Sequence, residues 1–147
     1  MIPAKEFILA YNELFKFLHR KYGKKAEIDF GIYISDNFLK NLDELVNEKG
    51  IAGMAEYWTH TLTEEKAVYT MSVGPDYFEI FMKKCPSVGI MNKRKVKKYP
   101  YYCEHCILYK RIIEKYGFVY KIQFIDKEKG VCKVTIHKKR RKNGDNC

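Results

Sequence analysis

Long uncharged apolar stretches are absent from this chain of 147 residues. No run of 18 such residues occurs, which excludes a transmembrane helix, and we expect no membrane partner. We also expect no secretory signal, because mixed charge begins at Lys5 and Glu6. We therefore expect a cytoplasmic protein, whose thiols stay reduced. Neither an internal repeat nor a linker is visible, so the length predicts one domain.

Aromatic residues, by contrast, are abundant. Tryptophan occurs once, but there are twelve tyrosines and nine phenylalanines, and 46% of the residues are hydrophobic. This composition excludes a disordered chain. It predicts a packed core, part of which can form a pocket walled by rings.

The net charge of +10 is concentrated in two short stretches, residues 93–98 and 138–142, which hold five cations each. Without those ten, 18 basic residues face 18 acidic ones, so the remainder is neutral. Such runs can bind nucleic acid. Neither carries a recognition motif, which favours a solvated loop and a soluble tail. We expect a domain over 1–137 and a disordered basic tail over 138–147.

The hydrophobic period changes once along the chain, from helical to strand-like. The helical pattern covers residues 4–22, 25–34, 36–48 and 51–63, and returns once over 103–116. Strand-like segments cover 67–73, 77–84, 118–125 and 131–137. We therefore predict an α+β fold in which N-terminal helices pack on a four-stranded antiparallel sheet, in the order α-α-α-α-β-β-α-β-β.

Four cysteines lie at the ends of these predicted elements. Cys103 and Cys106 form a C-x-x-C turn at the start of a helix, and Cys85 and Cys132 flank predicted strands. A pair of thiolates on one turn binds soft or borderline metals. We predict that all four are metal ligands, with zinc as the cofactor and an iron–sulfur cluster as the alternative.

Two other interpretations of the cysteines stay open. Cys85 or Cys103 could act as a nucleophile at lowered pKa, with His105 as a general base. All four could equally be ordinary buried cysteines. The candidates for the ligand-binding wall are five aromatic residues, each of which core packing would also explain. They are Tyr57, Trp58, Tyr101, Tyr102 and Tyr109.

A set of short motifs resembles the L-2-amino-thiazoline-4-carboxylic acid hydrolase family over residues 56–137. The matching pieces are Cys85-Pro86, Tyr101-Tyr102-Cys103, Tyr116-Gly117-Phe118 and Gly130-Val131-Cys132. The same pattern is similar to small-molecule-binding domains of the vinyl-reductase type. The resemblance implies an α+β domain with a pocket near the cysteines, and hydrolytic opening of a cyclic amidine. Cys106 stands where many relatives would carry an acidic residue, and this departure favours a four-sulfur metal site.

Together these observations predict a metal-binding, hydrolase-like domain that acts on or binds a small molecule. If it is an enzyme, we expect hydrolysis of a non-peptide C–N bond or another metal- or thiol-dependent, lyase-type reaction. The alternatives are a small-molecule sensor and a zinc-stapled module that binds nucleic acid through residues 93–98 and 138–142.

Overall fold

Six helices and four strands make up the part of the chain that the structure, a computed structural model, describes: residues 4–99 and 105–139, without the side chains of 4, 5, 105 and 106. The helices are α1 (Ala4–Tyr22), α2 (Lys24–Asn37), α3 (Lys40–Lys49), α4 (Ile51–Glu64), α5 (Pro86–Lys93) and α6 (His105–Lys115). The strands are β1 (Val68–Val73), β2 (Tyr77–Lys84), β3 (Phe118–Asp126) and β4 (Val131–Lys138).

The predicted α+β class is confirmed, with helices first and one antiparallel sheet in the order β1-β2-β4-β3. The structure adds a helix that the sequence pattern did not reveal, α5. Pro86 ends the β2 pairing, but it also occupies the first turn of α5, where its missing N–H costs nothing. Cys85 is the extended residue that caps this helix.

The inner face of the sheet changes from one end to the other. Phe78, Ile136 and Tyr120 lie side by side on neighbouring strands and are at most 3% exposed. We call this row the closed end. Four residues further along, Met82, Cys132 and Phe124 form another row, which is half-buried at the first two positions and 37% exposed at Phe124. We call this row the open end.

Helix α4 covers the inner face of the sheet because its apolar residues recur every four positions. Met54, Trp58 and Leu62 are buried, and the Trp58 ring stacks on Phe78 with 5.3 Å between centroids. Gly53 lies against α3, where a Cβ atom would come within 2.0 Å of the Leu45 carbonyl oxygen. Only glycine permits this close contact between the two helices.

Ion pairs join α6 to the helices before it. Arg111 donates to both carboxylate oxygens of Asp36 in α2, at 2.6 and 2.8 Å. Lys115 and the Tyr116 hydroxyl donate to Asp43 in α3, each at 2.9 Å for the shorter contact. These contacts fix the helix that carries the aromatic side of the candidate site.

Helix α1 holds the segment that follows α5. The buried Asn12 amide donates to the Lys97 carbonyl oxygen at 2.9 Å and accepts from the Tyr99 N–H at 3.0 Å. The Tyr99 ring stacks on Phe15 with 4.9 Å between centroids. The basic stretch 93–98 therefore begins at the last residue of α5 and continues as an irregular segment in a defined position.

None of the helices in residues 4–99 and 105–139 is both long and apolar enough to span a bilayer. Strand β4 extends one residue into the predicted tail, and residues 140–147 lie outside the described part of the chain.

Candidate ligand pocket

A cavity of about 80 Å³ lies between the inner face of the sheet, α4 and the start of α5. Trp58 and Leu62 contribute from α4, and Tyr109 contributes from α6. The floor is formed by strand residues that lead from the closed end to the open end, among them Ile80, Met82, Tyr120, Ile122, Cys132 and Val134. The cavity lies where the inner-face residues become less buried towards the open end.

The pocket wall is largely aromatic. The Trp58 and Tyr109 rings meet edge to face at 5.3 Å and 77°. Tyr57 stands edge to face with both, at 5.7 Å from Trp58 and 6.2 Å from Tyr109. Such arrangements are favoured by the ring quadrupoles and hold the wall rigid. Three of the five predicted ligand-binding rings thus come together, although only Trp58 and Tyr109 line the cavity.

Polar groups converge on this wall from one side. Glu65, which caps the C-terminus of α4, is an exposed residue, but partial burial of its carboxyl group raises its pKa. Burial raises the pKa of Tyr109 well above its ordinary value, and the negative charge of Glu65 acts in the same direction. Burial also raises the pKa of Tyr57, and a hydrogen bond with Tyr109 opposes that rise.

Cys85 lies at the rim, where β2 meets α5. Burial raises the pKa of its thiol, while the N–H groups of Val88 and Ser87 at the start of α5 act in the opposite direction without overcoming it. The side chain is therefore a neutral thiol at neutral pH. This is the reverse of the lowered pKa that the nucleophile interpretation requires.

Cys132 lies on the floor of the same cavity. Its pairing partner on β2 is Met82, three residues before Cys85. The Cys85 N–H donates to the Gly130 carbonyl oxygen at 3.1 Å. Both thiols are free.

The predicted metal-binding hydrolase function is wrong for this structure. Within residues 4–99 and 105–139, no group of three or more His, Cys, Asp and Glu side chains could hold a metal ion. Cys85 and Cys132 supply two thiols to one largely apolar cavity, whereas a structural zinc site needs four donors about 2.0–2.3 Å from one ion. Within the same residues, the zinc staple of the alternative nucleic-acid-binding module has no set of ligands either.

The remaining predicted site residues lie outside the described part. Cys103, Tyr101 and Tyr102 fall in residues 100–104, and His105 and Cys106 open α6 with side chains that the structure does not describe. The catalytic roles given to Cys85, Cys103 and His105 stay predictions, as does the choice between zinc and an iron–sulfur cluster.

Sequence reasoning missed several members of the pocket. Glu65 is predicted to be a surface carboxylate, and it is exposed, but its place beside the cavity was not foreseen. Tyr120 and Val134 could have been found, since alternation along their strands places both on the inner face of the sheet. Ser87 belongs to α5, a helix that was not predicted, so its place in the pocket could not be foreseen.

No family model and no curated protein matches this chain. The function must therefore be argued from the geometry of the pocket.

Proposed function

We propose that this chain is a binding domain for a small molecule that contains one flat ring. The observation that carries the proposal is the cavity at the open end of the sheet, which combines an aromatic wall with nearby polar groups. Ligand sites in proteins have this composition: they are largely apolar, with a few placed hydrogen-bonding groups. Three groups whose pKa is raised by burial, Glu65, Tyr109 and Cys85, border this cavity.

The size of the cavity limits the ligand. A water molecule needs about 10–15 Å³ of such space, so 80 Å³ corresponds to roughly five to eight water-sized positions. Typical sites for drug-sized ligands are about 300–1,000 Å³. The proposed ligand is therefore a single substituted ring, not a nucleotide or a peptide.

The two sides of the cavity would contact different parts of the ligand. The Trp58 and Tyr109 rings supply apolar surface for the flat part of the ligand. The Glu65 carboxyl group, at the end of α4, is available for a hydrogen bond to a polar substituent. The neutral Cys85 thiol adds a polarizable, weakly hydrogen-bonding contact at the rim.

Membership of the L-2-amino-thiazoline-4-carboxylic acid hydrolase family stays a prediction from the motifs alone, as does a cytoplasmic location. The binding proposal does not depend on either. It describes retention of a ligand, and it assigns no nucleophile, since the one described thiol at the rim, Cys85, has a raised pKa.

The experiment uses Trp58, the only tryptophan of the chain, as the reporter. Its fluorescence is followed while phenol, imidazole or pyridine is added. Val134→Phe places a ring in the cavity, and Val119→Phe places the same ring on the opposite face of the sheet. We expect saturable quenching by at least one probe in the wild type and in Val119→Phe, and none in Val134→Phe.

The proposal fails if no probe gives saturable quenching in the wild type, or if both variants respond as the wild type does. Circular dichroism checks that Val134→Phe folds. If it does not, Cys132→Phe is the second cavity-filling variant, because Cys132 also lies on the cavity floor.

A further inference from the structure

We propose that a second site, unrelated to the pocket, binds duplex nucleic acid through its phosphate backbone without reading sequence. The site is the surface formed by the segment 93–98 and the β3–β4 hairpin, 126–130, and we call it the basic surface. It needs no metal and does not involve the second basic run, whose Lys138 pairs with Asp76 at the opposite end of the sheet.

The two segments of the basic surface are joined by direct contacts. The Asn92 amide, at the end of α5, donates to the Glu128 carbonyl oxygen at 2.8 Å. The Lys98 ammonium group pairs with the Glu128 carboxylate at 2.9 Å. Cations that are about 30 residues apart in the sequence therefore share one surface.

The basic surface is also held in one conformation. Asn12 anchors the backbone at Lys97 and Tyr99 with two hydrogen bonds, and the buried Tyr99 ring stacks on Phe15. The hairpin is closed by the Lys129 N–H, which donates to the Asp126 carboxylate at 3.0 Å. A preorganised array of charges loses less entropy on binding than a mobile chain does.

Charge on this surface is strongly one-sided. Seven lysine and arginine residues face two carboxylates, Asp126 and Glu128, and both carboxylates are already paired. Four exposed cations, Lys93, Arg94, Lys95 and Lys97, make no ion pair with a carboxylate among the residues that the structure describes. Four such cations can each neutralise a phosphate.

The chemistry of the surface favours a duplex over the other polyanions. Proteins that bind single strands offer exposed aromatic rings on which bases stack. Here the ring next to the hairpin, Phe124, is 37% exposed, and the Lys127 ammonium group lies 4.9 Å from its centroid, so a base would have to displace this cation in order to stack. The donors are lysines and one arginine, which suit the regular phosphate spacing of a duplex.

The test is the salt dependence of binding to a fluorescein-labelled 20-base-pair DNA duplex, measured by anisotropy with the full chain. Four phosphate contacts give a slope of about −3.6 for log K against log salt, or a roughly 150-fold loss of affinity between 50 and 200 mM salt. Lys93→Gln combined with Lys97→Gln should reduce the magnitude of the slope by about 1.8.

The matched control replaces two exposed lysines elsewhere, Lys40→Gln with Lys121→Gln, and so removes the same amount of positive charge. We expect its slope to equal that of the wild type. The proposal would be overturned if the two double variants gave the same slope of log K against log salt. It would also be overturned if the magnitude of the slope fell only in a third double variant, Lys138→Gln with Lys139→Gln. Tighter binding to polyglutamate or to anionic phospholipid vesicles than to the duplex would also overturn it.

Discussion

The closed end and the open end of the sheet are built from the same three strands, yet they do different things. At the closed end, Phe78 and Ile136 are buried against α4 and contribute to stability. At the open end, Met82 and Cys132 are only half-buried and border a cavity. The change takes place over four residues of one strand. A continuous hydrophobic face can therefore be core at one end and binding surface at the other.

Removing a side chain at each end measures this contrast directly. Phe78→Ala deletes a fully buried ring that stacks on Trp58, so we expect a loss of about 3–5 kcal/mol in the free energy of unfolding. Met82→Ala, on the same strand and face, removes a half-buried side chain and should cost about 1–2 kcal/mol. Urea denaturation measures both. Equal losses would show that the two ends do not differ in packing.

Glycines in the helices that flank the two ends give a second contrast. Gly53→Ala should cost about 1–3 kcal/mol, because the new Cβ would collide with the Leu45 carbonyl oxygen of α3. Gly89→Ala, in α5 beside the open end, meets nothing within 4 Å and should be neutral or stabilise by up to about 1 kcal/mol. A destabilised Gly89→Ala protein would mean that α5 is packed more tightly than this structure indicates.

The closed end was largely predictable from the sequence, and the open end was not. Alternation in β2 and β3 and the four-residue spacing of Met54, Trp58 and Leu62 define the buried faces without any tertiary information. These patterns repeat over many residues, so chance matches are few. The confirmed fold class depends on them alone.

Prediction of the site failed where a single contact decides the outcome. Whether Cys85 and Cys132 could share an ion depends on strand register, which pairs Cys132 with Met82, three residues before Cys85. Register is a tertiary property that cysteine spacing does not encode. The rings of Trp58 and Tyr109 were identified by residue type, but their meeting depends on how α6 is anchored by Arg111 and Lys115.

The reactivity of Cys85 distinguishes a ligand pocket from a thiol active site. Because burial raises the pKa of Cys85, alkylation by iodoacetamide at pH 7.5 should be slower than that of a cysteine in an unstructured peptide. Peptide mapping by mass spectrometry gives the rate at this residue separately from the other cysteines. Alkylation faster than the peptide control would restore the nucleophile interpretation.

Glu65 should produce the smallest effect, a pH dependence of stability. Its pKa is raised in the folded protein, so the folded state holds the proton more tightly than the unfolded chain does. The stability that this residue contributes is therefore present below its ordinary pKa of 4.5 and is lost as the pH rises through the raised value. Glu65→Gln removes this loss. The free energy of unfolding of the variant should therefore rise relative to that of the wild type as the pH increases over that interval.

The matched control is Glu56→Gln, which replaces an exposed carboxylate that pairs with Lys49 on the outer side of α4. Urea titrations between pH 4 and pH 8 measure all three proteins. A difference between Glu65→Gln and the wild type that does not vary with pH would mean that the carboxyl group is fully hydrated, and the polar side of the pocket would then have to be formed by other groups.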